Sequence, residues 1–230
     1  METNSKKEKK KRGVSNLLYD FVKITGAIPT LIWLRPKVIR FGKREKLRGG
    51  VLISSNHISY IDPPLLLCVF WNRRVRFLAT ENLYDTPLKN FFFTHMHCIK
   101  VCKSNFSMSS FHAVTDNLKK NRAVLIFPEG QVNRGNDSLL SFKSGAVLMA
   151  HNAGAPILPV YIVKQDKWYR RKTVLIGESI DVRALVGERP SMSDLQRASE
   201  YIHDKEIELV HKYNEKYNKN KTIEKTEEKV

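Results

Sequence analysis

Two polar runs interrupt the most apolar stretches of this chain, and each follows a run with the character of a buried strand. The first, SSNHISYID over Ser54–Asp62, sets His57 just past Val51–Ile53 and Asp62 five residues later, directly before Pro63-Pro64. At this spacing a carboxylate can accept a proton-bearing Nδ1 of the imidazole. That bond fixes the tautomer and leaves Nε2 as a base toward a substrate hydroxyl. Asp62 equally fits a helix N-cap with Pro63 at the first helical position, and the two roles are compatible. The second run, FPEGQVNRGND over Phe127–Asp137, has Pro128 ending a strand, Glu129 and Gly130 in a turn, and Arg134 beyond it. Further on, SFKSGA over Ser141–Ala146 is expected to open a helix with Lys143 in its first turn. Cationic side chains, close backbone approach at glycine and free helix N–H groups together make an anion pocket.

These residues need a scaffold, and the chain alternates short β-rich runs with helical ones. Strands are expected at Lys37–Phe41, Gly50–Ser55, Val75–Ala79, Cys98–Cys102, Ala123–Pro128, Pro156–Val163 and Thr173–Glu178. Helices are expected at Pro63–Trp71, Glu81–Phe93, Ser107–Lys119, Ser141–Asn152 and Ser191–Tyr217. Such alternation predicts an α/β domain with a sheet covered on both faces. VLIS, AVLIF and ILPVYIV are apolar without a period of two, as strands buried on both sides are. Ligands of such sheets bind beyond the carboxyl ends of the strands, where both polar runs lie.

The chain has 230 residues, with 40 Lys and Arg against 23 Asp and Glu, a formal charge of +17. A hydrophobic fraction of 42% supports a real core and excludes a wholly disordered protein. Three cysteines cannot form a disulfide framework. The charge calls for an anionic partner: nucleic acid, a phospholipid surface or a phosphorylated small molecule. Residues 1–12 read as a basic disordered arm, 37–213 as the folded domain and 214–230 as a flexible polar tail. Between arm and domain, residues 13–36 form a helical segment. Val14, Leu17, Leu18, Phe21, Ile24, Ile28, Leu31 and Ile32 make one apolar stripe there. Asp20 and Lys23 interrupt it, and the uncharged run Ile24–Leu34 is short for a span; Gly26 and Pro29 are expected to break or kink the helix. The stripe either packs on the domain or lies in a lipid interface. The arm and Arg35, Lys37, Arg40, Lys43 and Arg44 support the interface.

Two rival classes arise from the same residues. His95, His97, Cys98 and Cys102 are all zinc-ligand types. If extended, they fall on opposite faces of a strand and cannot close a tetrahedral site, so no metal is expected. Nucleic-acid binding lacks a recognition helix, a finger or aromatic-basic alternation.

NHISYID, FPEG, FKSGA and APILPV, in this order, resemble the four motif blocks of the glycerolipid acyltransferases, most closely the 1-acylglycerol-3-phosphate acyltransferases. The likeness covers about residues 37–178. It implies a mainly parallel, roughly seven-stranded sheet flanked by helices. It also implies transfer of a fatty acyl group from acyl-CoA or acyl-carrier protein to the free hydroxyl of a lysophosphatidate-like glycerolipid. His57 would then be the general base and Asp62 its orienting partner, with no acyl-enzyme and no cofactor. Glu129 and Gly130 would bind the acceptor, helped by Arg134, Lys103 and Lys143, and Pro156–Val160 would shape the acyl side of the cleft. The implied partners are an anionic phospholipid membrane surface, a lysophospholipid and the thioester donor, with no nucleic acid. The implied place is peripheral or monotopic, on the cytoplasmic face of a membrane. The chain departs from the family pattern where Gln131-Val132 replace Thr-Arg, where Thr80 replaces a common Lys, and where Cys102-Lys103 replace an acidic residue and Arg. The alternatives are another lysophospholipid or glycerol-phosphate acceptor, or an inactive lipid-binding protein.

Overall fold

A computed structural model describes residues 2–42, 48–102, 107–133, 139–165 and 171–227, with side chains from residue 16 to 217 except residue 27. Seven strands form one sheet: β1 (Lys37–Arg40), β2 (Val51–Ser55), β3 (Arg76–Thr80), β4 (Ile99–Val101), β5 (Ala123–Ile126), β6 (Ile157–Val163) and β7 (Thr173–Ile176). Their spatial order is β1-β7-β6-β2-β5-β3-β4. Every pairing is parallel except β6 with β7. The helices are α1 (Glu2–Leu34), α2 (Asp62–Val69), α3 (Pro87–His95), α4 (Met108–Lys119), α5 (Gly145–Ala153), α6 (Val182–Val186) and α7 (Met192–Glu227). The mainly parallel sheet flanked by helices is therefore present, and each expected strand has its counterpart.

The central strands are largely apolar on both faces because successive side chains enter two different cores. Leu52, Val124 and Ile157 pack with Val114 and Leu118 of α4 and Leu195 and Ile202 of α7. Val51, Ile53, Leu125 and Leu158 pack on the other face with Leu65 and Leu66 of α2 and Leu34 of α1. Leu52, Leu66 and Leu125 have no exposed surface, each worth about 1.5–3 kcal/mol of apolar burial. Central β2 sits between β5 and β6, so the chain leaving its carboxyl end is flanked by two anchored strands. At its other end, a Cβ on Gly50 would collide with the carbonyl oxygen of Leu118, so glycine lets α4 close against β2.

Several boundaries differ from expectation, each for a local reason. The single helix expected over Glu81–Phe93 is a 3-10 turn (Glu81–Tyr84) followed by α3, because Pro87 starts a new helix capped by the Thr86 hydroxyl. The ends expected as arm and tail are helical from Glu2 and as far as Glu227, in Lys- and Glu-rich stretches of good helix propensity. Helix α1 also continues through Gly26 and Pro29. A proline removes one backbone donor, and the hydroxyls of Thr25 and Thr30 bond the carbonyls of Phe21 and Gly26 in this stretch.

Among the described residues, most of the apolar stripe of α1 faces away from the domain. Leu17, Phe21, Ile24, Ile28, Leu31, Ile32 and Trp33 are exposed, whereas Tyr19, Lys23 and Leu34 are buried. Tyr19 donates to the Val75 carbonyl at 3.0 Å, and Lys23 donates to the carbonyls of Trp71 and Arg73. Asn16–Leu34 has a mean hydropathy of 1.4, long and apolar enough to cross a membrane by length and composition.

Candidate active site

Beyond Ser55 the chain is pinned before it reaches the chemistry. The Asn56 side chain exchanges two bonds with the backbone of Ile162 on β6, at 3.1 and 2.7 Å, closing the gap between β2 and β6. Ser54 donates to Glu206 of α7 at 2.7 Å. Neither residue was singled out in the sequence.

His57 and Asp62 meet as expected from their spacing, with His57 Nδ1 2.8 Å from Asp62 Oδ2. The same oxygen accepts the backbone N–H groups of Ile58 and Ser59, each at 2.8 Å. Asp62 is therefore no helix cap: α2 starts at Asp62, the capping position is Ile61, and the carboxylate turns back to staple its own loop. An acceptor with three donors aimed at one oxygen is held in place, and so is the imidazole it meets. The ring is also clamped from its face, stacking on Phe127 at a centroid distance of 4.0 Å and 13° between planes. With Nδ1 committed to Asp62, Nε2 has no protein partner among the described residues. Only 14% of the His57 side chain is exposed, so the basic nitrogen reaches a confined space rather than open water.

Glu129 comes from the end of β5 and binds the same loop. Its Oε1 accepts the His57 backbone N–H at 3.0 Å and its Oε2 that of Leu140 at 3.3 Å. Burial raises its pKa, and these bonds, with one from Asn133, oppose the rise. The His57 carbonyl in turn accepts from Asn133 N at 2.7 Å, so the two polar runs grip each other through backbone as well as side chain. Gly130 has φ +72°, a left-handed turn that glycine adopts without strain, and Lys143 lies against its Cα. Lys143 is exposed and precedes its helix, since α5 starts at Gly145; its N–H is spent on the Pro128 carbonyl at 3.2 Å instead.

The structure thus brings together His57, Asp62, Glu129, Gly130 and Lys143. Arg134 and Lys103, the other two expected anion ligands, lie outside the described residues. The Pro156–Val160 block is the start of β6, where Ile157, Leu158 and Val160 are buried in the cores. The four zinc-type residues are not one extended strand: His95 ends α3, and His97 meets Asn16 at 3.1 Å. Among the described residues, no three His, Cys, Asp or Glu side chains converge as a metal site would require.

Comparison with known proteins gives the family and the fold. The family model described as Acyltransferase matches residues 38–163. The 1-acyl-sn-glycerol-3-phosphate acyltransferase of Borreliella burgdorferi is 28% identical over 185 residues, covering 79% of this chain and 72% of the relative. The 1-acyl-sn-glycerol-3-phosphate acyltransferase beta of Homo sapiens is 32% identical over 140 residues, covering 58% of this chain and 49% of the relative. Among solved structures, the 1-acyl-sn-glycerophosphate (LPA) acyltransferase PlsC from Thermotoga maritima shares the fold. It superposes with a TM-score of 0.61 at 21% identity, covering 87% of this chain and 83% of that one.

Proposed function

The chain belongs to the acyltransferase family, and from that premise we propose that it acylates the free hydroxyl of a lysophosphatidate-like glycerolipid from acyl-CoA or acyl-carrier protein. The observation that carries this reading is the imidazole held at Nδ1 by Asp62 and open at Nε2. Nε2 takes the acceptor's hydroxyl proton as the oxygen attacks the thioester carbonyl. The carbon–sulfur bond then breaks, and the thiolate leaves with the proton that His57 returns. Asp62 keeps the proton on Nδ1 and faces the imidazolium that forms. No covalent acyl-enzyme is needed, since the hydroxyl is itself the nucleophile.

Lys143, lying against Gly130, supports an anionic head group next to the loop. The relatives' names point to a glycerol 3-phosphate lipid as acceptor. The test is thioester consumption with lysophosphatidate, other lysophospholipids and glycerol 3-phosphate offered separately. Lysophosphatidate is expected to give the highest kcat/KM. Turnover with another lysolipid alone would keep the chemistry and move the substrate.

The exposed stripe of α1 supports a peripheral or monotopic position on a membrane, which we place on the anionic cytoplasmic face. The charges that interrupt the stripe are taken up by the domain, Asp20 by Arg74 and Lys23 by two carbonyls. The helix can therefore lie in the interface without carrying unpaired charge into lipid. Burying a Phe or Ile side chain is worth about 1.5–3 kcal/mol, so Phe21→Glu and Ile32→Glu should each weaken vesicle binding by about tenfold or more. Co-sedimentation with phosphatidylglycerol-containing vesicles measures this, and the wild-type binding should weaken with added salt. Variants that bind like wild type would remove α1 from the membrane contact.

A further inference from the structure

At the end of the sheet opposite His57, a cavity of about 490 Å³ opens between α1 and the first residues of β3 and β5. The distance can be judged from β2. Val51 pairs in parallel with Ala123 at the cavity end, and His57 lies six residues further along, about 20 Å for extended chain. Five cations line the cavity, Lys23, Arg73, Arg74, Arg76 and Arg122, against one carboxylate, Asp20.

That carboxylate is already used. Arg74 donates to both of its oxygens, Nε to Oδ1 at 2.9 Å and Nη2 to Oδ2 at 2.5 Å. Lys23 and Arg73 spend donors on backbone carbonyls, which satisfy hydrogen bonds but supply no negative charge. Arg122 donates to the neutral amide of Asn117 at 2.9 Å. Arg76 is 7% exposed, and among the described residues neither an ion pair nor a hydrogen bond holds its guanidinium. The groups that act on its charge are Arg122 and Arg74 and the Tyr19 phenol, which burial keeps neutral. Burial and these two cations push its pKa down to about 10, still charged at neutral pH. Arg122 and Arg76 also border a second cavity of about 460 Å³ on their far side, where burial pushes the His97 imidazole down to about 4. That ring is neutral at physiological pH and neither adds to nor offsets the charge.

A buried guanidinium with only cations around it is costly unless an anion completes it. Several converging arginine forks match the planar, multi-oxygen geometry of a phosphate, and the volume suits a small organic ligand rather than a lone ion. We propose that this cavity is a second anion site, distinct from the acyl-transfer centre, that binds a phosphomonoester through Arg76 and Arg122. The phosphate is either that of a soluble ester or the head group of an anionic lipid. Because Asn16, Asp20 and Lys23 of α1 form one wall, the ligand would also tie α1 to the sheet.

Thermal unfolding of the full chain tests this with inorganic phosphate, glycerol 3-phosphate, and phosphatidylcholine vesicles with and without phosphatidate. A ligand at 100-fold its Kd should raise Tm by on the order of 5–10 °C, saturably and beyond the effect of chloride at equal ionic strength. Arg76→Gln and Arg122→Gln should each abolish the shift, and His57→Ala should keep it. Arg122 is only half-buried and bonds a neutral amide, so its variant serves if Arg76→Gln fails to fold. A shift with the soluble phosphates assigns the soluble source; a shift with phosphatidate vesicles alone assigns the lipid. Absence of a saturable shift with every probe, its persistence in both arginine variants, or its loss in His57→Ala would each overturn the site.

Discussion

His57→Ala is expected to lower kcat for acyl transfer by about 10²–10⁴ while leaving the far-UV spectrum and unfolding cooperativity those of wild type. Among the described residues His57 is the imidazole paired to Asp62 with an open Nε2, and without it the acceptor hydroxyl must lose its proton to water. The fold should tolerate the loss because Asp62 keeps two backbone donors, Ile58 and Ser59, when the imidazole is gone. Glu129 is bonded to the backbone N–H of residue 57, not to the ring, so the two polar runs remain joined. KM for the acceptor should change little if the ring acts on the proton and not on the head group. Steady-state thioester consumption with the preferred acceptor measures both constants. A variant with wild-type kcat would remove His57 from the chemistry. Asp62→Ala is a less selective probe, since it also frees the loop that Asp62 staples.

The parts of the site that the sequence announces are those set by local order along the chain. The apolar runs VLIS, AVLI and ILPVYIV became the central strands, because a strand covered on both faces is stable only when apolar on both. Edge β1, with Lys37 and Arg40 and an exposed face, was legible from its flanks instead. His57 and Asp62 were legible because both lie in one loop at a strand end, where spacing alone brings them together. Asp62 shows the limit of that reading. Helix cap and imidazole partner are equally consistent with Asp-Pro-Pro, and only the positions of the Ile58 and Ser59 N–H groups decide between them. Lys143 was misplaced by one turn because Phe142, buried under α7 through its carbonyl bond to Ser199, holds the chain out of the helix until Gly145. The charge of +17 had no address in the composition. Five of its cations meet in one cavity assembled from α1 and the starts of β3 and β5, segments with no common motif. Glu206 is the extreme case: its partner Ser54 is 152 residues away. Its one local signature is a glutamate on the stripe that Leu195, Ala198, Ile202 and Leu209 make along α7, all of them buried.

Glu206→Gln is expected to make the protein more stable than wild type at neutral and higher pH, with the advantage growing as pH rises. Glu206 is fully buried, and burial is the main cause that raises its pKa well above the ordinary carboxyl range. The bonds from Ser54 and from the Asn56 N–H oppose that rise, while the neighbouring Glu129 adds to it. The native protein therefore keeps a proton on Glu206 at pH values where an unfolded glutamate, of pKa about 4.3, has released it. Over that window the unfolded state binds fewer protons at this site than the native one, so the share of stability that depends on Glu206 is complete below about pH 4.3 and declines above it. The slope is about 1.4 kcal/mol per pH unit, until the native carboxyl itself ionises. Glutamine keeps the acceptor that Ser54 and Asn56 use but carries no proton to lose, so the variant lacks this decline. Urea unfolding of both proteins at several values between about pH 5 and pH 8 isolates the contribution as a difference, since the other titrating groups are common to both. The two curves should diverge with rising pH. Parallel curves would mean that Glu206 is ionised in the native state, and the cation needed to hold it there would have to lie outside the groups that now surround it.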